Sequence, residues 1–147
     1  MAKEVLEYQM LVHLFCAISS PASANFALQR TATDNKHCFP GDVINTVKSN
    51  FYVDDCLKFL SPEAAAITHL HDLQALLFRG GFKLTKWINN SRKVIEAIPA
   101  HERCAELKKL YFYKNKLFSQ RVLGLQWFVE SATFAFNICL RGCYESR

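Results

Sequence analysis

The clearest periodicity in the chain lies between Ser61 and Gly81. Ile67, Leu70, Leu73 and Leu77 recur at intervals of three and four, which puts them on one stripe of a helix. Ser61 offers a capping hydroxyl, Pro62 suits the first helical position and Glu63 suits the positive helix end. Gly80-Gly81 stops the run. The stripe reads as a core-facing surface, and His69 and His71, on either side of Leu70, read as surface residues. A second helix is expected to open at Ser20-Pro21, with Ser20 as its cap, and to run through Ala22, Ala24, Ala27 and Leu28 toward Arg30. Its alanines allow a neighbouring element to approach closely. Residues 35–41, with Pro40, form a loop, and 42–48 form a short helical turn. Ser91 caps a short helix through Val94, Ile95 and Ile98 that stops at Pro99, and 101–110 forms another.

Strand-like patterns lie between these helices. Residues 8–16 are mostly apolar, as in a strand buried on both faces. Phe51, Tyr52 and Val53 have strand-forming side chains, and the Asp54-Asp55 pair that follows suits a tight turn. The local reading is a β-hairpin with two carboxylates at its tip. Residues 82–88 alternate as a half-buried strand, with Lys83, Thr85 and Trp87 on one side and Leu84, Lys86 and Ile88 on the other. Residues 122–128 and 132–138, separated by Glu130-Ser131, read as one further hairpin. The fold class is α+β, with antiparallel strands and the acidic hairpin packed on helices.

Composition narrows the picture slightly. The 147 residues suit one ordinary domain, and 50% hydrophobic with 21% charged residues is globular rather than disordered. The net charge of +5 mildly favours an anionic polymer as partner. No apolar run reaches the roughly 18 residues of a membrane span, and Met1 to Glu7 lacks a secretory layout. An intracellular location, cytoplasm or nucleus, is therefore expected, with the six cysteines as thiols. Neither Cys139/Cys143 nor His69/His71 has a second half at zinc-site spacing.

The candidate chemistry is at Asp54 and Asp55. Two oxygen-rich side chains at one point suit a hard divalent cation such as Mg²⁺, the usual metal of phosphoryl and nucleotidyl transfer. The plainer alternative is a solvated turn, which is what most Asp pairs in loops are.

Four blocks in order sharpen this. Phe15-Cys16-Ala17-Ile18-Ser19-Ser20-Pro21-Ala22-Ser23-Ala24-Asn25 resembles an FGxxSSPxxAN block. Phe51-Tyr52-Val53-Asp54-Asp55 matches FYVDD. Gly80-Gly81-Phe82-Lys83-Leu84-Thr85-Lys86-Trp87 matches GGFxLxKW, and Leu123-Gly124-Leu125-Gln126-Trp127 matches LGxxW. Together they resemble the reverse transcriptase of Bel/Pao-class LTR retrotransposons, over about residues 8–138.

The resemblance implies a partial polymerase palm over residues 1–90, then a helical connection, a primer-grip-like hairpin and an irregular tail over 91–147. It implies Mg²⁺ or Mn²⁺ as cofactor, with Asp54 as direct ligand and Asp55 in support. It places Tyr52, Phe15, Cys16 and Ser20 beside nucleotide and template, Lys86 by the leaving pyrophosphate, and Gly124 and Trp127 in the primer grip. The implied partners are an RNA template, a DNA primer and a deoxynucleotide, with no membrane. Two departures stand out. Cys16 replaces a family glycine, and a side chain there crowds a place where glycine lets a backbone pass close to a ligand. A further catalytic aspartate belongs upstream of the SSP block, where only Glu4 and Glu7 occur. The chain therefore reads as a truncated polymerase fragment, inactive alone. The alternative is a non-catalytic nucleic-acid-binding or interaction module. Apolar faces left uncovered in a partial palm lead to an expectation of self-association.

Overall fold

A computed structural model describes residues 17–105, 119–123, 125–129 and 131–136. These residues form a mixed α+β arrangement of four helices and two small antiparallel sheets. The expected strand at 8–16 lies outside them.

Helix α1 spans Ser20–Asp34. Ser19, not Ser20, holds the capping position, and Ser20 is the buried first residue of the helix, ahead of Pro21. The helix outruns Arg30 because its C-terminal turn is well supported. Arg30 pairs with Asp34 at 2.8 Å, and the Asn35 side chain donates to the Thr31 carbonyl at 2.9 Å. Helix α2, Gly41–Ser49, carries Asp42 in its first turn and Lys48 in its last, each on the favourable side of the helix dipole. It buries Val43, Ile44, Thr46 and Val47.

Helix α3, Glu63–Arg79, buries His69, Leu70, Leu73, Leu76 and Leu77. Ile67 is only partly buried at one end of that face. Pro62 takes the capping position, so the Ser61 hydroxyl stands one residue too early to cap. The C-terminus closes as a Schellman motif. Gly81, at φ 78°, donates its N–H to the Phe78 carbonyl, and Phe82 donates to Leu77, both at 3.0 Å. Helix α4, Arg92–Glu96, follows Ser91, whose hydroxyl caps nothing and donates to Glu63 at 2.6 Å. That hydrogen bond, with Lys93 at 3.2 Å, holds the Glu63 carboxyl below its usual range.

Two apolar clusters share α3. One joins Leu28 and Ala32 of α1, Val43, Ile44 and Val47 of α2, and Leu73, Leu76 and Leu77 of α3. The other joins Leu70 to Val94, Ile95, Ile98 and Cys104. Trp87 packs against both.

The strand expected at 82–88 is absent. The segment pairs only at Trp87, which donates to the Glu102 carbonyl at 3.0 Å and accepts from Cys104 at 3.1 Å. Lys86 adopts φ 59° and breaks the alternation. Phe82 and Leu84 therefore turn inward in phase, while Trp87 and Ile88 both turn inward after the break. The helix expected at 101–110 is not formed at its start. Residues 101–102 make a turn and Arg103 pairs with Trp87, while 106–110 lie outside the described residues.

Near the C-terminus, β3 (Ser119–Val122), β4 (Leu125–Phe128) and β5 (Thr133–Ala135) form a sheet in that order. The single strand expected over 122–128 is broken, because the chain reverses between Val122 and Leu125, which pair with each other. Leu123 takes φ 50° in that reversal. The chain reverses between Phe128 and Thr133, which pair with each other, as the pattern expects.

The end of α3 packs closely against α1 at Thr31. A Cβ on Gly80 would come within 2.7 Å of Thr31 Cγ2, and the Thr31 hydroxyl is already tied to the Ala27 carbonyl at 2.9 Å. Gly80→Ala is expected to destabilise the fold by about 1–3 kcal/mol through overpacking. Gly81→Ala, with open space around it but a left-handed backbone, is expected to cost about 1–2 kcal/mol. Urea denaturation of both variants measures this, and a Gly80→Ala midpoint equal to that of the parent protein contradicts the packing argument.

Candidate functional site

An acidic hairpin forms over 51–56, but its turn is Val53-Asp54 and not the expected Asp54-Asp55: Val53 leaves the strand, and Asp55 opens the return strand opposite Tyr52, so only Asp54 sits at the tip. Strands Phe51–Tyr52 and Asp55–Cys56 pair antiparallel, with Phe51 opposite Cys56 and Tyr52 opposite Asp55. Val53-Asp54 is a two-residue turn. Of its two residues only Val53 has positive φ, at 56°, which is the type II′ pattern. Glycine normally holds that position, and a β-branched residue there is a genuine outlier. The base of the hairpin is tied twice to Asn50, which also ends α2. Leu57 donates its N–H to the Asn50 carbonyl at 3.0 Å, and Asn50 Nδ2 donates to the Leu57 carbonyl at 2.8 Å.

Alternation across the two strands sorts the side chains. Phe51 packs against the helical core, and Cys56 shares its face. The Cys56 residue reaches solvent, yet burial around its sulfur pushes the thiol up to about 11, with Lys58 pulling weakly the other way. Tyr52 and Asp55 occupy the opposite face and are exposed, as is Asp54 in the turn. Among the described residues, no hydrogen bond or ion pair engages either carboxylate.

The remaining candidates stand on other elements. Ser20 is buried at the start of α1. Lys86 is exposed at the kink before Trp87, with no ion pair among the described residues. Trp127 lies mid-sheet on β4, stacked on its cross-strand partner Phe134 with ring centroids 6.1 Å apart. Its indole N–H is buried without an acceptor among the described residues. Phe15, Cys16 and Gly124 lie outside the described residues. The hairpin thus brings together Tyr52, Asp54 and Asp55, and neither Lys86 nor Trp127 is hydrogen-bonded to it.

The carboxylate pair fits Mg²⁺ in a restricted sense. That ion keeps several waters and needs only one or two protein carboxylates, with phosphate oxygens completing the shell. Two unengaged, solvent-facing carboxylates meet that need for one ion. A two-ion site asks for more, and among the described residues no group of three or more His, Cys, Asp or Glu side chains is placed to hold a metal.

One polar cluster escapes the sequence pattern. His69, expected at the surface, is 5% exposed between α2 and α3. Its Nε2 lies 2.9 Å from Thr46 Oγ1 and its Nδ1 lies 3.2 Å from Asp42 Oδ2. Asp42 and Thr46 sit four apart on α2, so both reach His69; Thr46 is buried among the valines, while the Asp42 side chain is 64% exposed. A cavity of about 270 Å³ beside them is lined by Pro40, Asp42, Val43, Ala65, Thr68, His69 and Asp72. Thr46 is fully buried, so the Asp-His-Thr arrangement cannot present a nucleophile to a substrate. It clamps two helices instead. The signal available in the sequence was a hydroxyl in the middle of the apolar face of α2. A second cleft, of about 300 Å³, lies between the start of α3 and the 89–91 turn, lined by Leu60, Ser61, Glu63 and Asn89 to Ser91 among others.

Comparison of the chain with protein-family models, with curated proteins and with solved structures found no match. Among the described residues, no helix is long and apolar enough to cross a membrane.

The environment of Cys56 gives a direct check on hairpin docking. A thiol at about 11 carries on the order of a hundredfold less thiolate at pH 8 than an ordinary cysteine. Although both cysteines are exposed, Cys56 is expected to react with iodoacetamide more slowly than Cys38 because of its raised thiol, as read by peptide mass spectrometry over a pH series. Equal rates at the two cysteines would mean that the Phe51–Cys56 face is not packed.

Proposed function

We propose that this chain is a portion of an RNA-directed DNA polymerase of the Bel/Pao retrotransposon type, with the 51–56 hairpin as its metal-presenting element. The observation that carries the reading is the hairpin itself. The residues matching FYVDD form a hairpin with both carboxylates exposed and, among the described residues, unengaged: Asp54 in the turn and Asp55 on the strand face opposite Phe51. The ordered SSP, GGFxLxKW and LGxxW blocks support it.

In this reading Asp54 takes the direct contact to a divalent ion and Asp55 supports it. When bound, that ion neutralises charge developing on the transferring phosphoryl group. Tyr52, exposed beside Asp55, flanks the primer end and incoming nucleotide. Lys86 offers a charged ammonium in solvent for the leaving pyrophosphate. Ser20 marks the start of the helix beside the nucleotide. Trp127, on a sheet strand with an unsatisfied indole N–H, belongs to the primer grip. With two carboxylates rather than three, the described residues support weak binding of one ion and little synthesis.

A second reading is a nucleic-acid-binding module without synthesis. The same shortage of carboxylates favours it, together with a net charge of +5 and exposed Lys83 and Lys86.

Two assays run side by side separate the readings. One is extension of a DNA primer on an RNA template with Mg²⁺ or Mn²⁺. The other is binding to the same duplex across a salt series. The chain is expected to bind, with affinity falling as salt rises by a log–log slope of about 0.9 per phosphate contact, and to extend the primer weakly or not at all. Extension that falls on the order of a hundredfold or more in Asp54→Asn establishes the polymerase reading. Salt-sensitive binding with no extension favours the module, and no binding at low salt contradicts both.

A further inference from the structure

We infer that His69 is a positioning residue for the acidic hairpin, acting from α3 through the last turn of α2. This deepens the metal-site reading and rests on it for its functional meaning.

The bonds form one continuous path. His69 Nε2 meets Thr46 Oγ1 at 2.9 Å. The Thr46 carbonyl accepts the Asn50 N–H at 2.9 Å, one helical turn further on. Asn50 holds Leu57 through both its carbonyl and its side-chain amide, at 3.0 and 2.8 Å. Those two bonds close the hairpin whose next pairs are Phe51–Cys56 and Tyr52–Asp55. The Thr46 hydroxyl donates to the Asp42 carbonyl at 2.8 Å, so the ring donates from Nε2 to Thr46 Oγ1, and the 3.2 Å approach of Nδ1 to the largely exposed Asp42 carboxylate is the lesser of the two contacts to α2.

The apolar contacts of α2 cannot do the same job. Val43, Ile44 and Val47 bury themselves against α1 and α3, but hydrophobic burial has no direction and tolerates small rotation and sliding of a helix. Hydrogen bonds to a buried ring are directional. His69 and Thr46 are 5% and 0% exposed, so water cannot replace the bond between them cheaply. The clamp therefore fixes the rotation of α2 within one turn of the residue that closes the hairpin. Val53 is held at φ 56° against its preference, so the turn depends on firm closure at its base.

Native-state hydrogen exchange on the full chain tests the coupling at the Leu57 amide. Thr46→Val removes the hydroxyl and keeps the shape, and His69→Leu removes the ring. Each is expected to speed Leu57 exchange about tenfold relative to the Leu76 and Leu77 amides of α3. Gln29→Ala deletes a different tether of α2, the bond from Gln29 Nε2 to the Val47 carbonyl, and is expected to change Leu57 less than about twofold. If His69→Leu fails to fold, Thr46→Val carries the test. The inference is overturned if Leu57 keeps its exchange rate relative to α3, or if Gln29→Ala has the same effect as Thr46→Val. The measurement uses no metal, so its failure leaves the metal reading intact, and failure of metal binding leaves this coupling intact.

Discussion

Helix α3 is the wall shared by both apolar clusters, and α2, which leads into the hairpin, is packed on it. Leu73, Leu76 and Leu77 face α1 and α2, while Leu70 faces α4, Ile98 and Cys104. Each such leucine is worth roughly 1.5–3 kcal/mol of burial. The helix also ends under constraint. Its glycine pair closes a Schellman motif and lets α1 approach to contact distance at Thr31. Arg79, its last residue, donates to the Asn35 side chain at 3.0 Å and stacks over Phe39, which ties the 35–40 loop to the same point. Loss of that packing would release α2, and with it the base of the hairpin.

The hairpin combines firm support with an unfavourable tip. Asn50 and Phe51 anchor one end to the helical core, yet the turn places valine where glycine would relax it. Backbone strain of this kind costs on the order of 1–3 kcal/mol and persists only where its surroundings over-determine it. Glycine at 53 would relieve it but would also free the backbone that aims Asp54.

Local patterns with one physical cause were legible in the sequence. The α3 stripe, the Gly80-Gly81 stop, the hairpin at 51–56 and the reversal between Phe128 and Thr133 each follow from spacing or turn chemistry. Features set by tertiary contact were not. Strict alternation paired Trp87 with Thr85, but the left-handed backbone at Lys86 shifts the phase and turns Trp87 into the core. Pro62, not Ser61, caps α3, and the Ser91 hydroxyl prefers Glu63 to its own helix, so neither serine followed the capping rule. His69 looked solvated because its partners, Asp42 and Thr46, come from a helix more than twenty residues away. At the candidate site, the carboxylates and Tyr52 were readable as a unit. The support they receive from Asn50, and through it from His69, was not.

In the proposed polymerase reading, the hairpin offers a divalent cation two carboxylates, Asp54 from the turn and Asp55 from the strand beside it. Paramagnetic line broadening by Mn²⁺, followed in the amide spectrum, tests it most directly. Broadening is expected to centre on the amides of Val53, Asp54 and Asp55, to titrate at low affinity and to be lost in Asp54→Asn. Broadening centred elsewhere, such as the cavity beside Asp42 and Asp72, or a tip untouched by the ion at saturating Mn²⁺, would contradict it.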